Sequence, residues 1–359
     1  MQGEESTVEE LPRAVTIPSH LQFSARGFAD EEYAKEAIYK LHTVLSVISQ
    51  SIDLTKLDGV TIAFDYDQAL AELDRGYETA YKLTASKGIA IGVAMAPRVI
   101  REGVVKTHLV LNANYALSIL EKPGEESDYF CQSLHLIAHE CAHVEVTAAF
   151  DECFPGFLLQ KAHSNILDNM RWQVILAAWD EYAVCRIAGS IGYDPAGGYL
   201  ETLVKVLSDT RVQCYEVIKA YRIHGDVGQV ATEVYGKLGD LLKYSSYFLG
   251  AVAAQDAPEE RPAALVEGSE FDWFSPFYDR LIEAHGVLWG DFGKWERLDA
   301  FEAVGDILQD MADSVGVEAT RQPDDLIYFD IPFRRESMPD SDLSDPVIRA
   351  LFDINALLK

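Results

Sequence analysis

The sequence has no hydrophobic run long enough to cross a membrane. Its longest apolar runs extend from Gly88 to Pro97 and from Tyr247 to Ala254. Both are far shorter than the about 20 residues that a membrane-spanning helix needs. The amino terminus is acidic and has neither the basic start nor the apolar centre of a secretion signal. We therefore expect a protein that does not bind membranes.

Basic residues are scarce compared with acidic ones. The 359 residues include 30 Lys and Arg against 58 Asp and Glu, which gives a formal net charge of −28. A chain of this charge repels phosphate backbones, so direct binding of nucleic acid is not expected.

Cysteines are few, odd in number and never arranged as C-x-x-C. This spacing is typical of free thiols in a reducing compartment and favours a cytoplasmic location. The five are Cys131, Cys141, Cys153, Cys185 and Cys214.

The hydrophobic content of 48% is sufficient for a packed core. Hydrophobic periodicity predicts an α+β protein that is mainly helical. We expect a lead-in over 1–27, a first domain over 28–195 and a helical C-terminal region over 196–359. Helices are predicted over 30–51, 68–73, 127–150, 165–191, 199–222, 229–254, 271–286 and 300–315, and strands over 60–64, 89–99, 107–112 and 326–331.

The helix predicted over 127–150 carries the most specific chemical pattern in the chain. His139, Glu140 and His143 form an H-E-x-x-H motif. Residues four apart lie on one helix face, so both imidazoles can bind one ion. Glu140 lies about 100° round the helix and can act as general base on a metal-bound water. The motif predicts a zinc site and metal-assisted hydrolysis.

A catalytic zinc site commonly has three protein ligands and one open position. The metzincin pattern would require Gly at 146 and a ligand at 149, where this chain has Val146 and Ala149. A carboxylate from the next helix is the other common solution, and Glu181 is the preferred candidate. The alternatives are Asp180, Asp168, Glu152 and Asp151, while His135 is interpreted as a packing or supporting histidine.

The order of elements around the motif resembles that of the gluzincin-type zinc peptidases. It consists of a strand at 107–112, the H-E-x-x-H helix and then Glu181-Tyr-Ala on a following helix. Among them it is most similar to the ImmA/IrrE-type bacterial and phage metallopeptidases. The resemblance covers about 57–189 and implies a zincin-like catalytic core, in which a small antiparallel or mixed sheet accompanies the two helices. It implies zinc ligands His139, His143 and Glu181, with Glu140 as the base.

Two positions depart from the patterns of these peptidases. Ala142 stands where the family often has Gly, and Cys185 stands where thermolysin-like enzymes have an acidic residue. The partner that orients Glu181 is therefore not identified by the resemblance. The oxyanion donor is also left open among His224, Tyr182, Tyr244 and Tyr247, and no role is assigned to His163 or His285.

We predict a cytoplasmic zinc metallopeptidase that hydrolyses peptide or protein substrates. The strand at 107–112 is expected at the sheet edge, where an extended peptide could add to it. The alternative is a non-catalytic binding or regulatory protein that retains a zincin-like fold.

Overall fold

A computed structural model describes residues 14–79, 82–86, 92–121, 128–255, 261–266, 268–339, 344 and 346–350. These residues are mainly helical with a small mixed sheet, which confirms the predicted α+β class. Across those ranges, none of the helices combines the length and the apolar character needed to span a bilayer.

The chain divides into two compact units. The first unit comprises Met1–Ala148 with Ile191–Tyr193, and the second comprises Ala149–Ser190 with Asp194–Lys359. The predicted domain limits at residues 27 and 195 stay predictions. The compact units group Ala149–Ser190 with the later helices.

The first unit contains a mixed sheet in the order β1-β2-β5-β3, with β4 also paired to β5. Strands β1, β2 and β5 are mutually parallel, whereas β3 and β4 run antiparallel to β5. The consecutive residues Leu109, Val110 and Leu111 of β5 are all buried, as expected where a parallel strand is covered on both faces. The strands are β1 (Gln22–Arg26), β2 (Leu57–Ala63), β3 (Ala94–Met95), β4 (Arg98–Arg101) and β5 (Val104–Asn112).

One sequence prediction about this sheet is wrong. Strand β5 is not an edge strand, because β2 pairs with it on one side and β3 and β4 pair with it on the other. Its backbone groups are therefore not available to an added peptide strand. Strand β1 lies inside the predicted lead-in, where its pairing with β2 compensates for a weak local hydrophobic pattern.

The predicted strand over 89–99 is replaced in its described part by two short strands, β3 and β4. Pro97 separates them and cannot donate a ladder hydrogen bond. Residues 89–91 of that predicted strand and residue 127, the first of the predicted helix over 127–150, lie outside the described residues.

Among the described residues, four α-helices accompany the sheet along the chain. Asp30 caps the first of them by accepting hydrogen bonds from the backbone N–H groups of Glu32 and Tyr33. Leu41 and Leu45 of that helix are fully buried, which fits its predicted amphipathic pattern. The helices are α1 (Glu31–Ile48), α2 (Tyr66–Ala71), α3 (Ala113–Ala116) and α4 (Asp128–Cys153).

The second unit is largely helical, and its predicted helical pair is present as α6 and α7. Strands β6 and β7 form a separate antiparallel pair. The elements are α5 (Ile166–Ala188), α6 (Ala196–His224), α7 (Val227–Ala253), α8 (Ser275–Gly290), α9 (Glu302–Val315), β6 (Glu318–Arg321) and β7 (Ile327–Asp330).

Helices α5 and α7 lie in close contact and run in the same direction. An added Cβ at Gly239 of α7 would lie 2.4 Å from a side-chain carbon of Val174 on α5. One at Gly250 would lie 2.3 Å from the backbone oxygen of Tyr182. Glycine at Gly250 therefore allows a helix-to-backbone approach that a larger residue would prevent.

Arg171, whose side chain is buried, connects α5 to α9 through ion pairs with more exposed carboxylates. Its Nη2 donates to the carboxylates of Glu302 at 2.6 Å and Asp306 at 2.7 Å. Its Nη1 donates to the backbone oxygen of Gly305 at 2.9 Å. Because a buried guanidinium without partners is costly, these contacts help fix the position of α5 within the second unit.

Candidate metal centre

Helix α4 carries the H-E-x-x-H motif in its interior, as the sequence predicts. His139 and His143 are one turn apart, and their ring centroids are 5.1 Å from each other. The side chain of His139 is 8% exposed and that of Glu140 is 6% exposed, so these polar groups lie in a largely water-excluded place. Two imidazoles on one face of a rigid helix provide half of a metal site.

Glu181 lies on α5, which begins after the N-cap Asn165. The Asn165 side chain accepts a hydrogen bond from the Asp168 backbone N–H, and the helix then continues without interruption past Glu181. Potential ligand atoms of His139, His143 and Glu181 all lie within 4.8 Å of one another. The three residues named from the sequence are therefore brought together.

This donor set has the chemistry to hold a metal ion. Two imidazole nitrogens and one carboxylate oxygen form a ligand set of catalytic zinc sites, in which a fourth position remains for water or substrate. Tetrahedral ligands at about 2.0–2.2 Å from an ion are about 3.4 Å apart, and the candidate ligand atoms here are separated by no more than 4.8 Å.

The other carboxylates considered as third ligands are not members of this cluster. Asp168 forms an ion pair with Arg321 instead. The Arg321 guanidinium is the main reason why the pKa of the Asp168 carboxyl is lowered. His135 also lies outside the cluster, and its Nδ1 is 3.2 Å from the backbone oxygen of Ile191. These positions leave Glu181 as the carboxylate that accompanies the two histidines.

Tyr66 on α2 is a residue near Glu140 that sequence reasoning missed. Its side chain is 5% exposed, and no described residue forms a hydrogen bond with its hydroxyl group. Burial raises the pKa of this phenol, and the charge of Glu140 raises it further. The sequence offered no signal for Tyr66, because α2 is short and distant from the motif in the chain.

Glu181 has a partner on α7 in Tyr247, one of the residues considered as oxyanion donors. The Tyr247 phenol lies close enough to Glu181 for the carboxylate charge to act on it, and a neutral phenol can donate a hydrogen bond to a carboxylate. Burial raises the pKa of Tyr247 well above its usual value, and the negative charge of Glu181 acts in the same direction. Tyr247 therefore remains a neutral donor.

The remaining residues without an assigned role have structural contacts. His224 Nδ1 accepts a hydrogen bond from the Asp226 backbone N–H at 2.9 Å. His163 stacks on Trp172 with ring centroids 6.2 Å apart. Tyr182 accepts a hydrogen bond from Arg186 through its hydroxyl group at 2.6 Å.

His285 is fully buried in the second unit and stacks on Tyr182, with ring centroids 4.3 Å apart. Its Nε2 is 2.8 Å from the hydroxyl oxygen of Ser246. Burial lowers the pKa of His285 to about 3, so the ring is neutral near pH 7. These contacts indicate a packing role.

Comparison with protein-family models, with curated proteins and with solved structures gives no match to this chain.

Proposed function

We propose that this protein is a zinc-dependent metallopeptidase with a zincin-like catalytic core. The observation that carries the proposal is the grouping of His139, His143 and Glu181, with Glu140 next to the first ligand in the chain. This donor set and the adjacent carboxylate have the composition that metal-assisted hydrolysis requires. The resemblance to gluzincin-type and ImmA/IrrE-type peptidases supports the same reaction class.

In this proposal His139, His143 and Glu181 hold the ion through two imidazole nitrogens and a carboxylate oxygen. A bound zinc ion supplies Lewis-acid chemistry, which acidifies water and polarises a carbonyl group. The Glu140 carboxylate accepts the proton of the attacking water and passes it to the leaving amine of the peptide. The low exposure of Glu140 limits competition from bulk water for that proton.

The proposed substrate is a peptide or protein, and the proposed location is the cytoplasm. The five free cysteines are compatible with a reducing compartment. The net charge of −28 argues against nucleic acid as a direct partner.

Glu140→Gln and Glu181→Ala separate the roles of base and ligand. We expect wild type purified without chelator to contain about one zinc per chain and to cleave a peptide library. Glu140→Gln should retain the metal and lose about 10²–10⁴-fold in hydrolysis rate, because the amide cannot accept the proton. Glu181→Ala should lose zinc, as measured by elemental analysis.

Asp180→Ala is the matched control, because it removes a neighbouring carboxylate that is not part of the cluster. It should retain both zinc and activity. Wild type that binds zinc without hydrolysing peptides would favour the non-catalytic binding protein. Wild type that binds no zinc, even when the ion is added, would refute the proposal.

A further inference from the structure

The packing of α7 on α5 determines which residues can reach Glu181. The contact of Gly239 with Val174 lies before Glu181 along α5, and the contact of Gly250 with Tyr182 lies just after it. Because the helices run in the same direction, the stretch of α7 between these glycines passes Glu181. Tyr247 is within that stretch, one turn before Gly250.

The aromatic ring of Tyr247 is held by neighbours in the same unit. The ring of Tyr199 on α6 has its centroid 5.0 Å away, and the ring of Tyr244 stacks at 5.9 Å. These contacts restrict the ring to a narrow range of orientations. The ring of Tyr247 is therefore packed against aromatic neighbours on α6 and α7.

Cys185, one turn after Glu181, does not provide a charged partner for it. The thiol is fully buried, and burial raises its pKa well above the usual value, with the charge of Glu181 adding to the effect. Cys185 therefore stays neutral.

A carboxylate that binds a metal through one oxygen needs a defined orientation, and hydrogen bonds from supporting residues commonly provide it. A phenol is well suited, because it can donate to the carboxylate without adding a charge. The donor here comes from a different helix and is rigidly packed.

We propose that Tyr247 is a positioning residue, whose hydroxyl group holds the Glu181 carboxylate in the orientation needed to bind the metal ion. This inference rests on the proposed function, because it assumes that Glu181 is a metal ligand. It adds a residue of α7 that neither the motif nor the resemblance identifies. The competing explanation is that the hydrogen bond only satisfies a polar group in the interior of the second unit.

Tyr247→Phe tests the proposal, because it removes the hydroxyl group and keeps the ring. We expect zinc affinity, measured by competition with a chromophoric chelator, to fall about 10–100-fold. Cobalt substituted for zinc should show a changed visible absorption spectrum, which reports ligand geometry. Tyr244→Phe is the matched control and should change neither, because it removes a hydroxyl group one turn away on the same helix.

The outcomes distinguish the two proposals. If wild type binds zinc and Tyr247→Phe binds it equally tightly with the same cobalt spectrum, the positioning role of Tyr247 is overturned. The proposed function is then unaffected. Wild type that binds no zinc overturns both.

A measurement on wild type applies even when Tyr247→Phe does not fold. In protein labelled with ¹³C at tyrosine Cζ, zinc should shift the Tyr247 resonance more than that of Tyr244, because the ion withdraws charge from the carboxylate that accepts its hydrogen bond. An unchanged Tyr247 resonance at zinc saturation would contradict the proposal.

Discussion

At the scale of single residues, burial gives the five cysteines different chemical properties. Cys131 and Cys153 are partly exposed, whereas Cys141, Cys185 and Cys214 are buried. Burial raises the pKa of the Cys214 thiol to about 12 and also raises those of Cys141 and Cys185. Since the thiolate is the reactive form, these three should be poor nucleophiles in the folded protein.

We therefore predict that a thiol reagent modifies Cys131 and Cys153 first. Mass spectrometry after a short exposure of the native protein to iodoacetamide at pH 8 should find label on these two. The same exposure in concentrated urea should label all five. Equally rapid labelling of Cys214 in the native protein would contradict the burial described here.

Residue chemistry also explains why the carboxylates near the motif are not interchangeable. Asp180 and Glu181 are adjacent in sequence, yet only Glu181 belongs to the cluster with the histidines. Adjacent positions on a helix point about 100° apart, so one of the two faces the histidines while the other does not. Asp168 is engaged by Arg321 and serves the structure of the second unit.

At the scale of secondary structure elements, the contact between α5 and α7 depends on glycine. Gly250 lies where a Cβ would be 2.3 Å from the Tyr182 backbone oxygen, whereas Gly236 on the same helix has open space around it. The same substitution at the two positions should thus have opposite effects.

We predict that Gly250→Ala lowers the free energy of unfolding by about 1–3 kcal/mol, because the helices must move apart. Gly236→Ala should raise it by about 0.5–1 kcal/mol, because alanine favours the helical state. Urea unfolding followed by circular dichroism measures both. A gain in stability for Gly250→Ala would show that the close contact is absent.

The position of β5 in the sheet also depends on the strands that pair with it rather than on its own residues. Thr107 to Asn112 form a strand as predicted, but β5 extends from Val104 and pairs on both sides. A peptide substrate therefore cannot add to β5. The strand stabilises the sheet and leads through α3 towards the motif helix.

At the scale of the whole molecule, the buried histidine of the second unit connects stability with pH. The pKa of His285 is lowered to about 3, compared with about 6.5 for an unperturbed histidine. Its neutral form is favoured in the folded state. The associated stability is fully present above about pH 6.5 and is lost as the pH falls towards 3.

We predict that His285→Phe makes the protein less sensitive to acid. Between pH 7 and pH 4, protonation of His285 in the unfolded chain should lower the free energy of unfolding of wild type by roughly 3 kcal/mol. The variant lacks this histidine and should not show that loss. Urea unfolding at both pH values measures the difference.

Much of the secondary structure follows from the sequence, because it depends on local patterns. The amphipathic spacing of α1, the helical pair α6 and α7 and the helix around the motif could all be predicted. Strand β1 could not, because its five residues become a strand only by pairing with β2. The order of the strands in the sheet could not be predicted either, since it depends on contacts between residues that are distant in the chain.

The sequence by itself determined the identity of the proposed metal ligands on α4, because helical periodicity alone puts His139 and His143 on one face. Only the tertiary structure decided that Tyr247 lies beside Glu181. The reason is physical: a partner on another helix depends on how closely the helices approach. Here that distance is set by the absence of a side chain at Gly250.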